Sequence, residues 1–234
     1  YGPAARDAIP AVIDLSKDER LEVQLAAATA LGAVGVQDGE ANARLRAMLD
    51  SVDADLQLRV TAAESMFKCA GEVEALQAHT RETLRKHLQD PSSRVRAKCA
   101  ELLVGLHEDP AVVIPVLEPL LTDSDLEAVR SSANALKSLG HRAAAAIPAL
   151  IRMLASNSGL PPSWSLASDV LVAIGPASVP ALIAALDDRE VRVRIHAIRT
   201  LGGIGPQADA AVSALTRALD DSTTIEESVT WCVG

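Results

Sequence analysis

Five histidines, His79, His87, His107, His141 and His196, are the first residues to weigh for chemistry. A metal ion needs ligands that converge at fixed geometry, such as two histidines at i and i+4 on one helix face. None of the five has a histidine at that spacing, and His79 and His87 fall about two helical turns apart. The one His-Glu dipeptide, His107-Glu108, reads as a solvated loop. Gly203-Ile204-Gly205-Pro206-Gln207-Ala208 matches the spacing of a dinucleotide-binding turn. That turn must follow a strand, so that backbone amides cradle a pyrophosphate, whereas here it follows a helical pattern and contains a proline. No GxSxG, P-loop or Cys-His nucleophile signature occurs, and Ser178 in GPASVPA lacks the nucleophile-elbow spacing. The three cysteines form no CxxC; Cys69 and Cys99 fall at core-facing helical positions and read as free thiols acting as small hydrophobes, and Cys232 lies near the end of the sequence. These residues define no catalytic, metal or cofactor site.

The elements that would position any site are helical. About half of the 234 residues are hydrophobic, enough to bury a large core, yet there are only two Trp, one Tyr and one Phe. Small and aliphatic residues at that density suit closely packed helices better than strands. The apolar pattern repeats about every 30–36 residues, a spacing typical of helical-repeat architectures. Each unit opens with an apolar helix, as in Ala8–Leu15, Val113–Leu121, Ala146–Leu154, Ser178–Leu186 and Ala211–Leu219, with more polar versions at Ala41–Leu49 and Thr80–Leu88. Pro10, Pro115, Pro148 and Pro180 sit near the starts of four of them, where the missing amide would lack a partner anyway. An acidic turn follows, at Asp18, Asp90, Asp123, Asp187-Asp188 and Asp220-Asp221. A second helix then carries apolar residues at i, i+4, i+7, i+8 and i+11, as in Val193, Ala197, Thr200, Leu201 and Ile204. Glycine closes these helices at Gly35, Gly71, Gly140, Gly175 and Gly205, where a left-handed residue is expected.

The repeat boundaries fall at approximately 3–35, 36–72, 73–109, 110–140, 141–175, 176–205 and 206–234. They describe one solenoid domain over 1–234, with six helix pairs and a partial seventh. Tyr1-Gly2-Pro3 copies the Ile-Gly-Pro seam of Ile174–Pro176 and Ile204–Pro206, so a preceding repeat is expected in a longer parent. The uncharged run Val170–Leu186 is broken by Gly175-Pro176 and Pro180 and reads as two helix ends meeting at a turn rather than as a membrane span. Free core cysteines and the lack of a visible signal peptide favour the cytoplasm without fixing the compartment, since the true N-terminus is expected upstream of Tyr1.

The units resemble bacterial HEAT repeats of the short type found in phycobilisome-lyase-like proteins. Ala185–Pro206, Leu88–Leu103 and Ser124–Gly140 carry the likeness, which extends over the chain. The resemblance implies an all-α, right-handed α–α superhelix with second helices lining the concave side. It also implies that recurring Asp and Arg residues link neighbouring repeats as a structural ladder, here Asp90 with Arg96, Asp123 with Arg130 and Asp188 with Arg194, with Asp55 and Arg59 a looser version. Regular recurrence favours that role over an active site, because a catalytic site is single whereas a ladder repeats. Di-iron hydroxylases in this solenoid class use several His-Glu dipeptides, and His107-Glu108 alone cannot supply them.

Two departures from the repeat stand out. The fifth unit replaces the acidic turn with Ala155–Ser165 and puts Trp164 at the ladder-Arg position. Trp164 reads as filling a packing gap, with partner anchoring as the alternative. The polar first helix His79–Asp90 is locally basic and reads as a solvated convex face. Facing the concave side, the pattern places Thr61, Glu64 and Lys68, then Lys98 and Glu101, then Ser131 and Asn134, then His196 and Arg199. This mixture suits a protein or peptide better than a metabolite, which wants an enclosed apolar pocket.

A net charge of −9 repels phosphates at long range, so nucleic acid and anionic membranes are disfavoured partners. The reading that follows is a non-enzymatic, cofactor-free interaction scaffold binding a protein partner along its concave face. Alternatives are a phycobilin-lyase-like accessory protein or a regulatory module of a larger enzyme; an alkylpurine-glycosylase-like role conflicts with the charge and the scarcity of aromatics.

Overall fold

The computed structural model describes residues 6–35, 38–71, 73–155 and 163–219. The Tyr1-Gly2-Pro3 seam, residues 156–162 of the fifth turn, Asp220-Asp221 and Cys232 lie outside the described residues. Among the described residues there is no strand. The first helices of successive pairs are α1 (Ile9–Leu15), α3 (Gly39–Asp50), α5 (Glu74–Lys86), α7 (Pro110–Leu120), α9 (Ile147–Leu154), α11 (Val179–Ala185) and α13 (Val212–Leu219). The second helices are α2 (Leu21–Val34), α4 (Leu56–Ala70), α6 (Ser93–Gly105), α8 (Leu126–Leu139), α10 (Ser163–Ile174) and α12 (Val191–Ile204).

The chain divides into two compact units, residues 1–109 and 110–234. In the first, α1 packs on α2, α3 on α4 and α5 on α6, while the second helices lie side by side as α2, α4 and α6. In the second, the pairs are α7 with α8, α9 with α10 and α11 with α12, and the adjacent second helices are α8, α10 and α12. The 3.6-residue stripe is what each second helix buries: Val193, Ala197 and Leu201 on α12, and Val95, Cys99 and Leu103 on α6, are almost wholly inaccessible. Small residues let the layers approach closely. A Cβ built on Gly32 of α2 would stand 2.7 Å from the Ser65 Cβ of α4.

The seams follow the expected chemistry with two corrections. Gly71, Gly140, Gly175 and Gly205 have φ of +52°, +54°, +78° and +71°, the left-handed region that glycine enters without steric cost. Gly35 does not, since its φ is −83°; it is needed because a Cβ there would overlap Ala41 and the Leu31 carbonyl. In the seam that lacks a glycine, His107 takes the left-handed conformation instead, at φ +59°. Pro10, Pro148 and Pro180 occupy the first turns of α1, α9 and α11. Pro115 departs from this, because α7 starts at Pro110 and places Pro115 inside the helix. The apolar run after Trp164 is split, α10 ending at Ile174 and α11 starting at Val179 across the left-handed Gly175.

Candidate functional site

The turn residues form a repeated local structure. A carboxylate oxygen of Asp18, Asp55, Asp90, Asp123 or Asp188 accepts the amide two residues on, at 2.8–2.9 Å in each case. Six residues after the turn Asp, a side chain of the second helix donates back to that Asp carbonyl: Gln24 to Asp18 at 2.6 Å, Arg96 to Asp90 at 2.7 Å, Arg194 to Asp188 at 3.0 Å. The pairings anticipated between Asp90 and Arg96 and between Asp188 and Arg194 are therefore made through the backbone. The carboxylates accept amides of their own turn, and that of Asp90 is also taken by Arg59. Arg130 pairs instead with Glu127, three residues away. Asp55 caps α4 through the amides of Gln57 and Leu58.

Arg59 makes a buried inter-repeat link. Its guanidinium takes both oxygens of Asp90 and also donates to the Leu49 carbonyl at 3.1 Å, and both side chains are buried. Burial alone would raise the Asp90 carboxyl, but Arg59, the Ser92 amide and His87 together hold it below the usual carboxylate range. His87 also reaches Asp50 at 2.9 Å, extending the cluster.

His79–Asp90 is more than a solvated face. Arg85 of α5 grips Glu108 at 2.6 and 2.8 Å, and Arg81 donates to the Leu106 carbonyl at 3.1 Å. Glu108 is consequently buried rather than solvated, its carboxyl lowered by Arg85 against the opposing effect of burial. These arginines secure the seam where His107 stands in for glycine.

In the first unit, the second-helix face brings Glu64, Lys98 and Glu101 together. Lys98 Nζ lies 3.0 Å from Glu64 on α4 and 2.7 Å from Glu101 on α6. Burial would lower the lysine, and the two glutamates outweigh it, leaving its pKa raised. Lys68 is exposed on α4. Cys69 and Cys99 are buried free thiols, both pushed up by burial. A cleft of about 550 Å³, not anticipated from the sequence, is lined by Ser16, Gln24, Arg44, Asp53 and Asp55 among others, and Arg44 spans it to Ser16 at 2.6 Å.

In the second unit, Trp164, His196 and Arg199 converge. The Trp164 and His196 rings stack with centroids 4.3 Å apart and planes 12° apart, joining α10 to α12. The Arg199 guanidinium lies 5.8 Å from the Trp164 ring centre, within cation–π range. Aligning Gly175 with Gly205 puts Trp164 where Arg194 stands one repeat later, so the residue that elsewhere ties the turn is here an aromatic one. Trp164 is half-buried while His196 is 3% exposed. Burial, then Arg199, then Arg192, lowers the His196 pKa to about 4, so the imidazole is neutral at pH 7. Nearby, the Thr200 hydroxyl donates to the His196 carbonyl at 2.7 Å and lies 2.9 Å from the Ser168 hydroxyl, and Lys137 of α8 pairs with Asp169 of α10 at 3.0 Å. Asn134 is exposed on α8, and Ser131 is buried. Arg192 was missed by sequence reasoning; its place at i, i+4, i+7 with His196 and Arg199 was the available signal. Among the described residues, no three His, Cys, Asp or Glu side chains converge as a metal ion would require.

Stacked helix pairs, turn aspartates closing most of them and side-chain ties one repeat long define an all-α solenoid of the armadillo-like kind. The family model for HEAT repeats matches residues 81–160 and 164–231, and the chain belongs to that family. Comparison with curated protein sequences gave no match. Among solved structures, an engineered protein is similar with a TM-score of 0.52 at 20% identity, covering 85% of this chain and 97% of its own. The CpcE–CpcF complex of phycocyanin lyase from Nostoc sp. PCC7120 gives a TM-score of 0.50 at 22% identity, covering 88% of this chain and 79% of that one. A designed armadillo repeat protein in complex with the peptide (KR)4 gives a TM-score of 0.50 at 14% identity over 84% and 99% of the two chains. At these identities the likeness is one of fold.

Proposed function

We propose that this chain is a non-enzymatic interaction scaffold that binds a protein or peptide partner on the face built by its second helices. The observation that carries this reading is the Trp164–His196 stack with Arg199 over it. It spends one of two tryptophans in the sequence on a half-exposed surface, at the position where other repeats use a polar residue to close a turn. Half-exposed Trp and Arg are the residue types that dominate interface energetics. In the first unit, taken by itself, the Glu64–Lys98–Glu101 cluster gives the second helices a mixed-charge surface suited to polar contacts. A regulatory module within a larger enzyme would use this surface in the same way.

The test compares partners captured from source-cell extract by the wild-type chain, by Trp164→Ala/Arg199→Glu, and by Arg152→Glu, which alters an exposed residue of the first helix α9. Partners lost with the first variant and kept with the second are expected. A partner set identical for all three would remove the second-helix face from consideration.

A further inference from the structure

We infer that the partner segment of the second unit is an extended acidic peptide whose two carboxylates, three residues apart, pair with Arg192 and Arg199. This rests on the scaffold reading above and gives it a chemical class of ligand.

Arg192, His196 and Arg199 fall at i, i+4 and i+7 and therefore share one face of α12. Both arginines are exposed. Among the described residues neither has an ion-pair partner; the nearby Asp169 is engaged by Lys137. The helix VRVRIHAIRTLGGI carries three arginines and no acidic residue, in a chain whose net charge is −9. Two of those arginines stand in its first turn, the end of the helix dipole that favours anions and disfavours cations. Arg194 is compensated by the turn carbonyls of Asp188 and Arg189, whereas Arg192 makes no such contact among the described residues. Burial lowers the His196 pKa first, and the potential of Arg199 and Arg192 at the imidazole lowers it further. The site is thus two arginines without an ion-pair partner among the described residues, flanking a stacked, neutral Trp164–His196 platform.

The spacing sets the ligand's pattern. Seven residues along an α-helix separate Arg192 from Arg199 by about 10.5 Å. An extended chain advances about 3.3–3.6 Å per residue, so acids three apart match that distance. An apolar residue between them would lie over the exposed part of the Trp164 ring.

The test titrates the full chain with a fluorescein-labelled octapeptide of core Asp-Leu-Ser-Asp, beside the same peptide with Asn or Lys at both Asp positions. The acidic peptide is expected to bind, with the Asn version weaker by about tenfold or more and the Lys version not binding. Arg192→Gln and Arg199→Gln should each weaken the acidic peptide, and Arg192→Lys/Arg199→Lys should retain it, with helical circular dichroism unchanged in all variants. The peptide should also raise the titration midpoint of the His196 imidazole by NMR, because its carboxylates offset the two cations. Equal binding of the Asn or Lys peptide, or an unmoved His196 midpoint at saturation, overturns the inference. So does a single-stranded oligouridylate that displaces the peptide through the same arginines, which would assign the site to nucleic acid. If partner capture still depends on Trp164 while no acidic peptide binds, this inference fails and the scaffold reading stands.

Discussion

Arg59 and Asp90, 31 residues apart, form a buried two-point ion pair that ties one repeat to the next. Removing one partner of such a pair leaves the other charge desolvated and uncompensated, at a cost of about 3–5 kcal/mol. Asp90→Ala should therefore lower the urea midpoint strongly. The double variant Arg59→Met/Asp90→Leu, which removes both charges, should recover most of the loss. A single variant as stable as wild type would show that the link contributes nothing.

Acid should weaken the first unit through two carboxyls. Asp90 and Glu108 both titrate below their ordinary values when folded. A depressed folded pKa adds stability that is full above the unfolded value, about 4, and is lost as pH falls through the folded value. Stability measured by urea should accordingly decline below about pH 4. Asp90→Asn and Glu108→Gln should each be less stable at pH 7 and flatter in that acid range. An unchanged slope in both variants would contradict the assignment.

His196 provides a second pH-dependent term in a different window. Its pKa near 4 lies below the unfolded value of about 6.5, so its contribution is full above the latter and is lost as pH falls through the former. Trp164→Ala uncovers the imidazole, and the His196 resonance should then titrate closer to the ordinary value by NMR. A midpoint that stays near 4 would mean that the Trp164 ring does not shield it.

Two backbone substitutions should act in opposite directions. Gly32→Ala drives a methyl into Ser65 and should destabilise by about 1–3 kcal/mol, as overpacking does. His107→Gly relieves a left-handed conformation that costs an L-residue about 1–2 kcal/mol and should raise the urea midpoint. The loss of the His107 side chain removes little packing, since that residue is exposed.

Much of the fold was legible because it is written in local periodicities. The buried stripe containing Val193 and Leu201, and the left-handed glycines at 71, 140, 175 and 205, follow from spacing alone. Gly35 did not, because close approach to Ala41 of the next helix, not its own φ, is what demands glycine there. The resemblance implies that the Asp–Arg pairs link neighbouring repeats, whereas Arg96 and Arg194 reach the backbone carbonyls of the turn before their own helix. Arg59–Asp90 depends on how one repeat docks on the next, and a single-repeat pattern contains no such information. Trp164, His196 and Arg199 were each singled out, yet their convergence required the offset of 32 residues between Trp164 and His196 to be recognised as one period.

That offset recurs. Arg59 and Asp90 are 31 residues apart, Lys137 and Asp169 32, Ser168 and Thr200 32, Cys69 and Gly35 34. The chain distance between touching residues is thus set by the period, not by the length of the protein. Loop-closure entropy grows only with the logarithm of the loop closed. Each added repeat would therefore meet the same entropic cost as the one before it, and an array twice as long would assemble without a harder search.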